Sequence, residues 1–397
     1  MWPLSLSAIS VVTALGAGAA PLRRALHDRQ GGLRRCDFRD APEDIWIGRV
    51  PGLEEVALPP ALAGFACRNN RLAELALRSD GFAAAVEAAG ERYGPERVAV
   101  VLGTSTAGIE ATEQAYGRRD TPDAALDGEF DFARTHDLQA LPRFVRARLG
   151  LRGPALAVST ACTSGARAML DAAALIAAGV VDAAVAGGVD SLCRLTLHGF
   201  ASLELLSRDG PTRPCAADRS GISIGEAAGL VLLERAAAGP AGAPLLLGAG
   251  ASSDGYHMSS PHPDGLGAVT AMRAALAAAG LAPEAMDYVN LHGTGTRAND
   301  AMEDRAVHQL FGDRVACSST KGWTGHTLGA SGAIEAVIAA LCIADGLVPG
   351  CLGVAVTDPE FRSDIAIANR SGAVRRVLSN SFGFGGSNCC LVLGAAA

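Results

Sequence analysis

Ser159-Thr160-Ala161-Cys162-Thr163-Ser164-Gly165 lies between two apolar runs of different character. Before it, Ala155 to Val158 is short and uninterrupted, which predicts a buried strand. After it, Ala166 to Ala178 is rich in Ala, Leu and Met and predicts a helix. A cysteine at such a junction falls at the helix's first turn, beside unpaired backbone N–H groups and the positive end of the dipole. That setting favours the thiolate, the nucleophilic form of the side chain. The alternative is a small buried thiol that fills core volume. Small residues on both sides, which would let a substrate approach, weigh against it.

Working outward, strands are expected at Arg97 to Gly103, at Val181 to Ala186 (closed by Gly187-Gly188) and at Ala227 to Leu233, with a helix over Asn70 to Ala89. Arg23 to Arg49 reads as Arg-rich and irregular, and Gly103-Thr104-Ser105-Thr106-Ala107-Gly108 as a turn that could wall a pocket. The segment Ala236 to Pro244, dense in Ala, Gly and Pro, is the best internal boundary. Beyond it the alternation restarts. Strands are expected at Leu245 to Gly250, Tyr288 to His292, Val315 to Ser318 and near Val377 and Cys390, and helices at Ala268 to Ala279, Asp304 to Phe311 and Ala330 to Ile343. Such alternation implies βαβ units and a mainly parallel sheet covered on both faces. Two successive α/β halves, 1–238 and 239–397, suggest a duplicated architecture, although no sequence repeat stands out.

With 397 residues, 49% hydrophobic and 19% charged, the chain can bury a large core. A net charge of −7 argues against a general nucleic-acid binder. The ten cysteines are scattered, with no CxxC pair and no Cys/His ligand spacing, so neither a metal site nor a disulfide framework is expected. Met1 to Ala20 is apolar and ends in small residues, like a leader, but lacks a basic n-region and contains Pro3. A reduced, cytoplasmic protein is the expectation, and no apolar run looks suited to spanning a bilayer. Lysine occurs once, at Lys321, in a chain otherwise committed to Arg. That position either needs a compact point charge or holds its lysine by chance.

Three stretches of the second half set polar side chains among loop-forming glycines just after an apolar strand: Asn290 to Thr296, Ser318 to Gly329 and Asn380 to Asn388. Ligand sites of open α/β sheets collect at the carboxyl ends of strands, so all three can converge with Cys162. A cysteine with one histidine suggests covalent thiol chemistry. With two, His292 and His326, one could orient or activate while the other stabilises developing negative charge. Gly383, Gly385 and Gly386 do not open a helix after a strand, so they are not read as a dinucleotide fingerprint.

Taken in order and spacing, Gly103 to Gly108, Ser159 to Gly165, Arg213 to Glu234, Ser252 to Gly265, His292 to Thr296, Lys321 to Gly329 and Asn380 to Asn388 resemble the elongating β-ketoacyl-acyl-carrier-protein synthases of type II fatty-acid and polyketide systems. The resemblance implies the α/β thiolase fold, with duplicated βαβαβαββ-like halves in an αβαβα layered sandwich. The N-terminal half (1–238) would carry the nucleophilic cysteine and the C-terminal half (239–397) both catalytic histidines. It implies that Cys162 accepts an acyl group from a carrier-protein thioester, and that malonyl on a second carrier loses carbon dioxide and attacks that acyl group. His292 and His326 would stabilise the enolate, with Lys321 and Glu335 organising the site. The N–H groups of Cys162 and Phe384 would form an oxyanion hole, and the Phe384 ring a gate. Thr294, Thr296 and Ser259 would hold the phosphopantetheine arm, and Thr106 and Phe200 would bound the acyl pocket. No cofactor of its own is implied, because the substrates arrive on the carrier's arm.

Some positions depart from the family pattern, among them Gly295, Gly322 and Ala227, and the N-terminal part looks abbreviated. The runs Gly103 to Thr106, Gly188 to Cys193 and Ser260 to Pro263 look most like ketosynthases of aryl polyene clusters. A thiolase is an alternative, with Cys389 or Cys390 as its second cysteine. So is a non-catalytic chain-length-factor subunit, although such subunits usually lack the nucleophile. The implied partners are an acyl carrier protein and a second subunit, as a homodimer or a heterodimer with a chain-length factor. Arg68, Arg71, Arg143 and Arg146 are candidates for docking the acidic carrier.

Overall fold

The computed structural model describes residues 3–126, 128 and 130–396. Its principal strands are β1 (Leu4–Thr13), β2 (Val98–Gly103), β3 (Ala155–Val158), β4 (Ala183–Asp190) and β5 (Ala227–Arg235), then β6 (Leu245–Ser253), β7 (Tyr288–Asn290), β8 (Ala316–Ser318), β9 (Arg376–Gly383) and β10 (Ser387–Gly394). The first five run in the order β1-β5-β4-β2-β3 and the second five in the order β6-β10-β9-β7-β8. In each set the first strand pairs antiparallel with the fifth and the fifth antiparallel with the fourth. In each set the fourth, second and third then run parallel. Each first strand also slips register near its start, between Leu6 and Ala8 and between Leu246 and Gly248. The two halves therefore share one topology, and a short antiparallel pairing of Leu4–Ser5 with Leu245–Leu246 joins them.

Between the two sheets lie α4 (Ser164–Ala177) and α7 (Ser331–Asp345). Outside the first sheet pack α1 (Arg68–Arg78), α2 (Phe82–Tyr93) and α3 (Ala140–Arg148); outside the second pack α5 (Leu266–Ala279) and α6 (Arg297–Phe311). This is the layered αβαβα sandwich that the resemblance implied. The two central helices touch through glycine. A Cβ on Gly165 would lie 2.8 Å from the Gly329 carbonyl oxygen, and one on Gly332 would lie 2.7 Å from the Ala166 Cβ. Each glycine is the second residue of its helix, in Ser164-Gly165-Ala166 and Ser331-Gly332-Ala333.

Several expectations need correcting. The Asn70 to Ala89 helix is two helices, because Ser79-Asp80-Gly81 breaks it, with Asp80 and Gly81 in the left-handed region. Gly187-Gly188 does not close its strand: β4 runs on to Asp190, and the glycines admit close neighbours, since a Cβ at Gly187 would lie 2.0 Å from the Gly229 carbonyl. The Arg-rich region contains a helix, Ala19–Asp28, at its start. α6 begins at Arg297, seven residues before the expected Asp304, because Thr296 caps it by accepting from Asn299 N–H. The apolar opening segment is a buried strand between β5 and β6; Met1 and Trp2 lie outside the described residues. Leu328–Asp345 is helical over 18 residues with a mean hydropathy of 1.7, long and apolar enough to cross a bilayer, against the sequence expectation. It lies buried between the sheets, where apolar side chains are needed on every face.

Gly103, at the end of β2, has the Ser164 carbonyl carbon 2.3 Å from where a Cβ would sit. Gly103→Ala should lower stability by about 2–3 kcal/mol, read as a fall in the urea midpoint. Gly117→Ala, where nothing lies within 4 Å, serves as the comparison and should change it by less than about 1 kcal/mol.

Candidate active site

Cys162 sits in the turn from β3 into α4. Ala161 before it adopts the left-handed region at φ 52°, and Ser164 Oγ locks the turn by donating to the Ala161 carbonyl at 2.6 Å while accepting from Thr160 N–H at 3.0 Å. The loop after β9 closes against this turn, and a Cβ on Gly383 would lie 3.2 Å from Cys162 N. Phe384 follows, and its backbone N–H and that of Cys162 both act on the sulfur, which puts the two expected oxyanion donors together.

The two histidines arrive from the other half. His326 Nε2 is 3.0 Å from Cys162 Sγ, and its Nδ1 is 2.9 Å from Ser331 Oγ at the start of α7. The His292 ring stands edge-on to the His326 ring, with centroids 5.2 Å apart. Behind it Lys321 Nζ lies 2.6 Å from Glu335 Oε1 and 3.4 Å from His292 Nδ1, and it donates to the His292 carbonyl. An ammonium has no lone pair, so His292 Nδ1 must accept; its proton then sits on Nε2, free to donate. The single lysine of the chain is thus a buried point charge that fixes a tautomer, and Glu335 is its counter-ion.

Burial dominates the electrostatics. Burial, the Lys321 charge and His326 hold His292 well below the ordinary imidazole value, and burial and Lys321 do the same to His326. Both rings are therefore neutral near pH 7. Burial pushes the Cys162 thiol up to about 12, against the Lys321 charge and the Phe384 N–H. Desolvation thus outweighs the helix terminus that was expected to preform a thiolate, and the sulfur rests as a thiol beside a neutral imidazole that can take its proton. Burial likewise raises Glu335 to about 7, opposed by Lys321.

A cavity of about 370 Å³ opens onto the sulfur and is lined by Cys162, His292, His326, Phe382, Phe384, Phe200, Thr294, Thr296 and Ser259, among others. Phe384 stacks on Phe200 at 5.6 Å between ring centroids. Thr294 and Thr296 join through their hydroxyls at 2.9 Å. Thr106 does not line this cavity: its hydroxyl donates to Asp190 Oδ1 at 2.9 Å and accepts from Ser191 N–H. Cys389 and Cys390, the candidate second bases of a thiolase, are buried in β10 away from the cavity.

Of the docking candidates, Arg68 is corrected. Its guanidinium is buried on Glu226 at 2.6 Å and also pairs with Glu54, so it is committed to the interior. Arg143 is near Asp137 at 3.6 Å, Arg146 donates to the Gly153 carbonyl, and none of the four lines the cavity.

Sequence reasoning missed a set of buried carboxylates. Asp190 accepts from Thr104 Oγ1, Ser105 N–H, Thr106 N–H, Thr106 Oγ1 and Gly329 N–H, which ties the turn after β2 to the segment before α7. Glu303 accepts from the N–H groups of His292 and Gly293, both at 2.7 Å, and from Asn380 Nδ2. Asp300 does the same for Thr294 and Gly295. The one linear signal was the spacing of Asp300 and Glu303, one helical turn apart just after the His292 loop.

Compared with known proteins, residues 71–238 match the family model described as β-ketoacyl synthase, N-terminal domain, and residues 245–355 match its C-terminal domain. A 3-oxoacyl-[acyl-carrier-protein] synthase 2 of Rhizobium meliloti is 41% identical over 310 residues, 74% of this chain and 73% of that protein. Among solved structures, a ketosynthase (ApeO) from Xenorhabdus doucetiae, in complex with its chain length factor (ApeC), is 38% identical with a TM-score of 0.91 over 100% of this chain and 98% of that one. The ishigamide ketosynthase/chain length factor is 28% identical with a TM-score of 0.88, each chain covered to 100%.

Alkylation of Cys162 by iodoacetamide should keep accelerating above pH 9, because the thiol ionises near 12 in the free site. A plateau below pH 8 in mass-spectrometric rates would instead mean that a thiolate is already formed. Separately, Glu335→Gln strands the buried Lys321 ammonium and should cost about 3–5 kcal/mol of stability in urea unfolding.

Proposed function

The chain belongs to the β-ketoacyl synthase family, and from that premise we propose a residue-by-residue course for its condensation and a pathway that it serves. The protein is a β-ketoacyl-acyl-carrier-protein synthase: it joins a cysteine-bound acyl chain to malonyl on a carrier protein with loss of carbon dioxide. One observation carries the assignment of roles: Cys162 Sγ lies 3.0 Å from a neutral His326, with His292 beside it held as a donor by Lys321.

In the first half-reaction His326 Nε2 takes the thiol proton as Sγ attacks the thioester carbonyl of an acyl carrier protein. The developing oxyanion meets the N–H groups of Cys162 and Phe384. The tetrahedral adduct collapses, the carrier thiol leaves with a proton, and the acyl group stays on Cys162. In the second, malonyl enters along Thr294 and Thr296, and its thioester carbonyl faces His292 Nε2–H and His326. The His326 proton exchanges through water from Nδ1 to Nε2 once the carrier thiol has left, with Ser331 Oγ then donating to Nδ1. Breakage of the C–C bond to the carboxylate releases carbon dioxide and leaves electron density on that carbonyl, which the two donors stabilise. The carbanion then attacks the acyl carbon, the carbon–sulfur bond breaks, and the thiolate released takes a proton from water as product leaves, the one proton that the decarboxylation consumes. Hydrogen-bond donors that are fixed before charge appears cost no reorganisation when it does.

For pathway and partner, the reading is an aryl polyene ketosynthase that works with a chain-length factor. Support comes from the Gly103 to Thr106, Gly188 to Cys193 and Ser260 to Pro263 runs, and from similarity to a ketosynthase solved in complex with its chain length factor. The edge strand β3 also leaves one side of its ladder unpaired and exposes Leu156, and Leu195, Leu203 and Phe132 are exposed too.

Intact-mass analysis after exposure to acyl carrier proteins, then malonyl carrier protein, tests this. Wild type should gain the acyl mass and discharge it as β-ketoacyl product; Cys162→Ala should gain none. His292→Ala should still be acylated but condense at least about 100-fold more slowly. Co-expression with a chain-length factor should yield a stable heterodimer that accepts longer polyene chains, whereas a homodimer with full activity would sink the heterodimer reading.

A further inference from the structure

The cavity wall that carries Thr294 and Thr296 rests on a buried cation. Arg219 is 3% exposed and lines the cavity. Its guanidinium donates to the carbonyls of Ala216 at 2.9 Å, Thr296 at 3.4 Å and Arg297 at 3.4 Å, and to the Asp358 carboxylate at 2.6 Å. Its flat face covers the Phe361 ring at 4.9 Å, and its Nε is 3.7 Å from Asp300. Asp300 in turn accepts from the N–H groups of Thr294 at 3.0 Å and Gly295 at 3.2 Å. One short segment is therefore gripped from both ends, its N–H groups by a buried anion and its carbonyls by a buried cation. Gly295 completes the grip: at φ +81° it passes so close to Thr212 that a Cβ would lie 2.3 Å from Thr212 Oγ1.

A planar fork with five donors can serve three carbonyls and a carboxylate at once, and a lysine ammonium cannot. The bonds from Arg219 reach the backbone carbonyls of Thr296 and Arg297, while Asp300 and Thr212 hold the backbone of Thr294, and none of them engages the paired threonine hydroxyls. We propose that Arg219 is a positioning residue for the carrier-borne arm. Through Thr296 and Arg297 it fixes the height of the two hydroxyls above Cys162, and so sets the affinity for carrier-bound substrates without touching the chemistry at sulfur. This rests on the carrier-protein reading given above.

The test compares wild type, Arg219→Lys, Thr296→Ala and the double variant in acyl transfer from an acyl carrier protein, with iodoacetamide alkylation of Cys162 as the small-reagent reference. Arg219→Lys should raise KM about tenfold with kcat within about twofold, because misplacing a binding group weakens ground-state and transition-state binding alike. The alkylation rate should stay within about twofold, and the double variant should be no worse than about twofold below the poorer single one, as residues acting through each other are not additive. A fall in kcat or alkylation that matches the rise in KM, or KM effects that multiply, would overturn the proposal in favour of a purely structural role. If Arg219→Lys does not fold, Asp358→Asn keeps the guanidinium on its three carbonyls while loosening one side. It should raise KM about threefold, and an unchanged KM overturns the proposal. If wild type takes no acyl group from any carrier protein, the carrier reading itself has failed; if it does and KM is unmoved in Arg219→Lys, only this inference has.

Discussion

Everything at the catalytic centre depends on two helices approaching more closely than side chains normally allow. Gly165 and Gly332 face each other's segments with no room for a Cβ, and each stands one residue inside its helix. The contact fixes the start of α4 against the start of α7. Cys162 precedes the one, and His326, Ser331 and Glu335 flank or occupy the other. A methyl group here would push apart segments whose sulfur–imidazole separation is 3.0 Å. Packing at crystal-like density transmits such a shift to its neighbours.

Upon that contact the chain builds a reaction chamber out of buried charge. Lys321 is surrounded by a carboxylate, a carbonyl and an imidazole, and it biases a neutral ring toward one tautomer. Asp190, Glu303 and Asp300 are buried carboxyl groups whose ligands are mostly backbone N–H groups, so each holds a loop in place. Such groups are costly to desolvate unless every lone pair is met. What they provide is rigidity around groups that must be in place before charge develops. The thiol and both imidazoles stay neutral until substrate arrives, so charge appears only during reaction.

The layered fold was legible in the alternation of strands and helices, and the restart after Pro244 marked the second half. The duplication itself was hidden, because strand order and register repeat while sequence does not. Its one written trace is Ser-Gly-Ala at the head of each central helix. The first strand was obscured because a strand buried on both faces and a secretory leader are apolar alike. Residues alone made Cys162, His292 and His326 suspects; their roles, and those of Lys321 and Glu335, came from family resemblance. Asp190 and Arg219 were not legible, since each acts mainly on backbone atoms brought near by folding, and such partners leave no spacing to read; Glu303 left only its one-turn spacing from Asp300. The helix-terminus argument at Cys162 failed for a related reason: a sequence shows the dipole but not the depth of burial.

One feature of the strand order governs how such a molecule can be made. In both halves the first strand lies beside the last, so β1 finds its partner β5 only after more than two hundred residues have emerged. Loop closure over such a span is entropically slow to reward, and contacts of that sequence separation are the late events of assembly. During synthesis the apolar opening strand must therefore wait, exposed, for Ala227–Arg235. The second half repeats the arrangement over a shorter span, from Leu245 to Gly394. Cys162 thus sits in a half that can close first, and His292 and His326, which stand beside it, belong to the half made second.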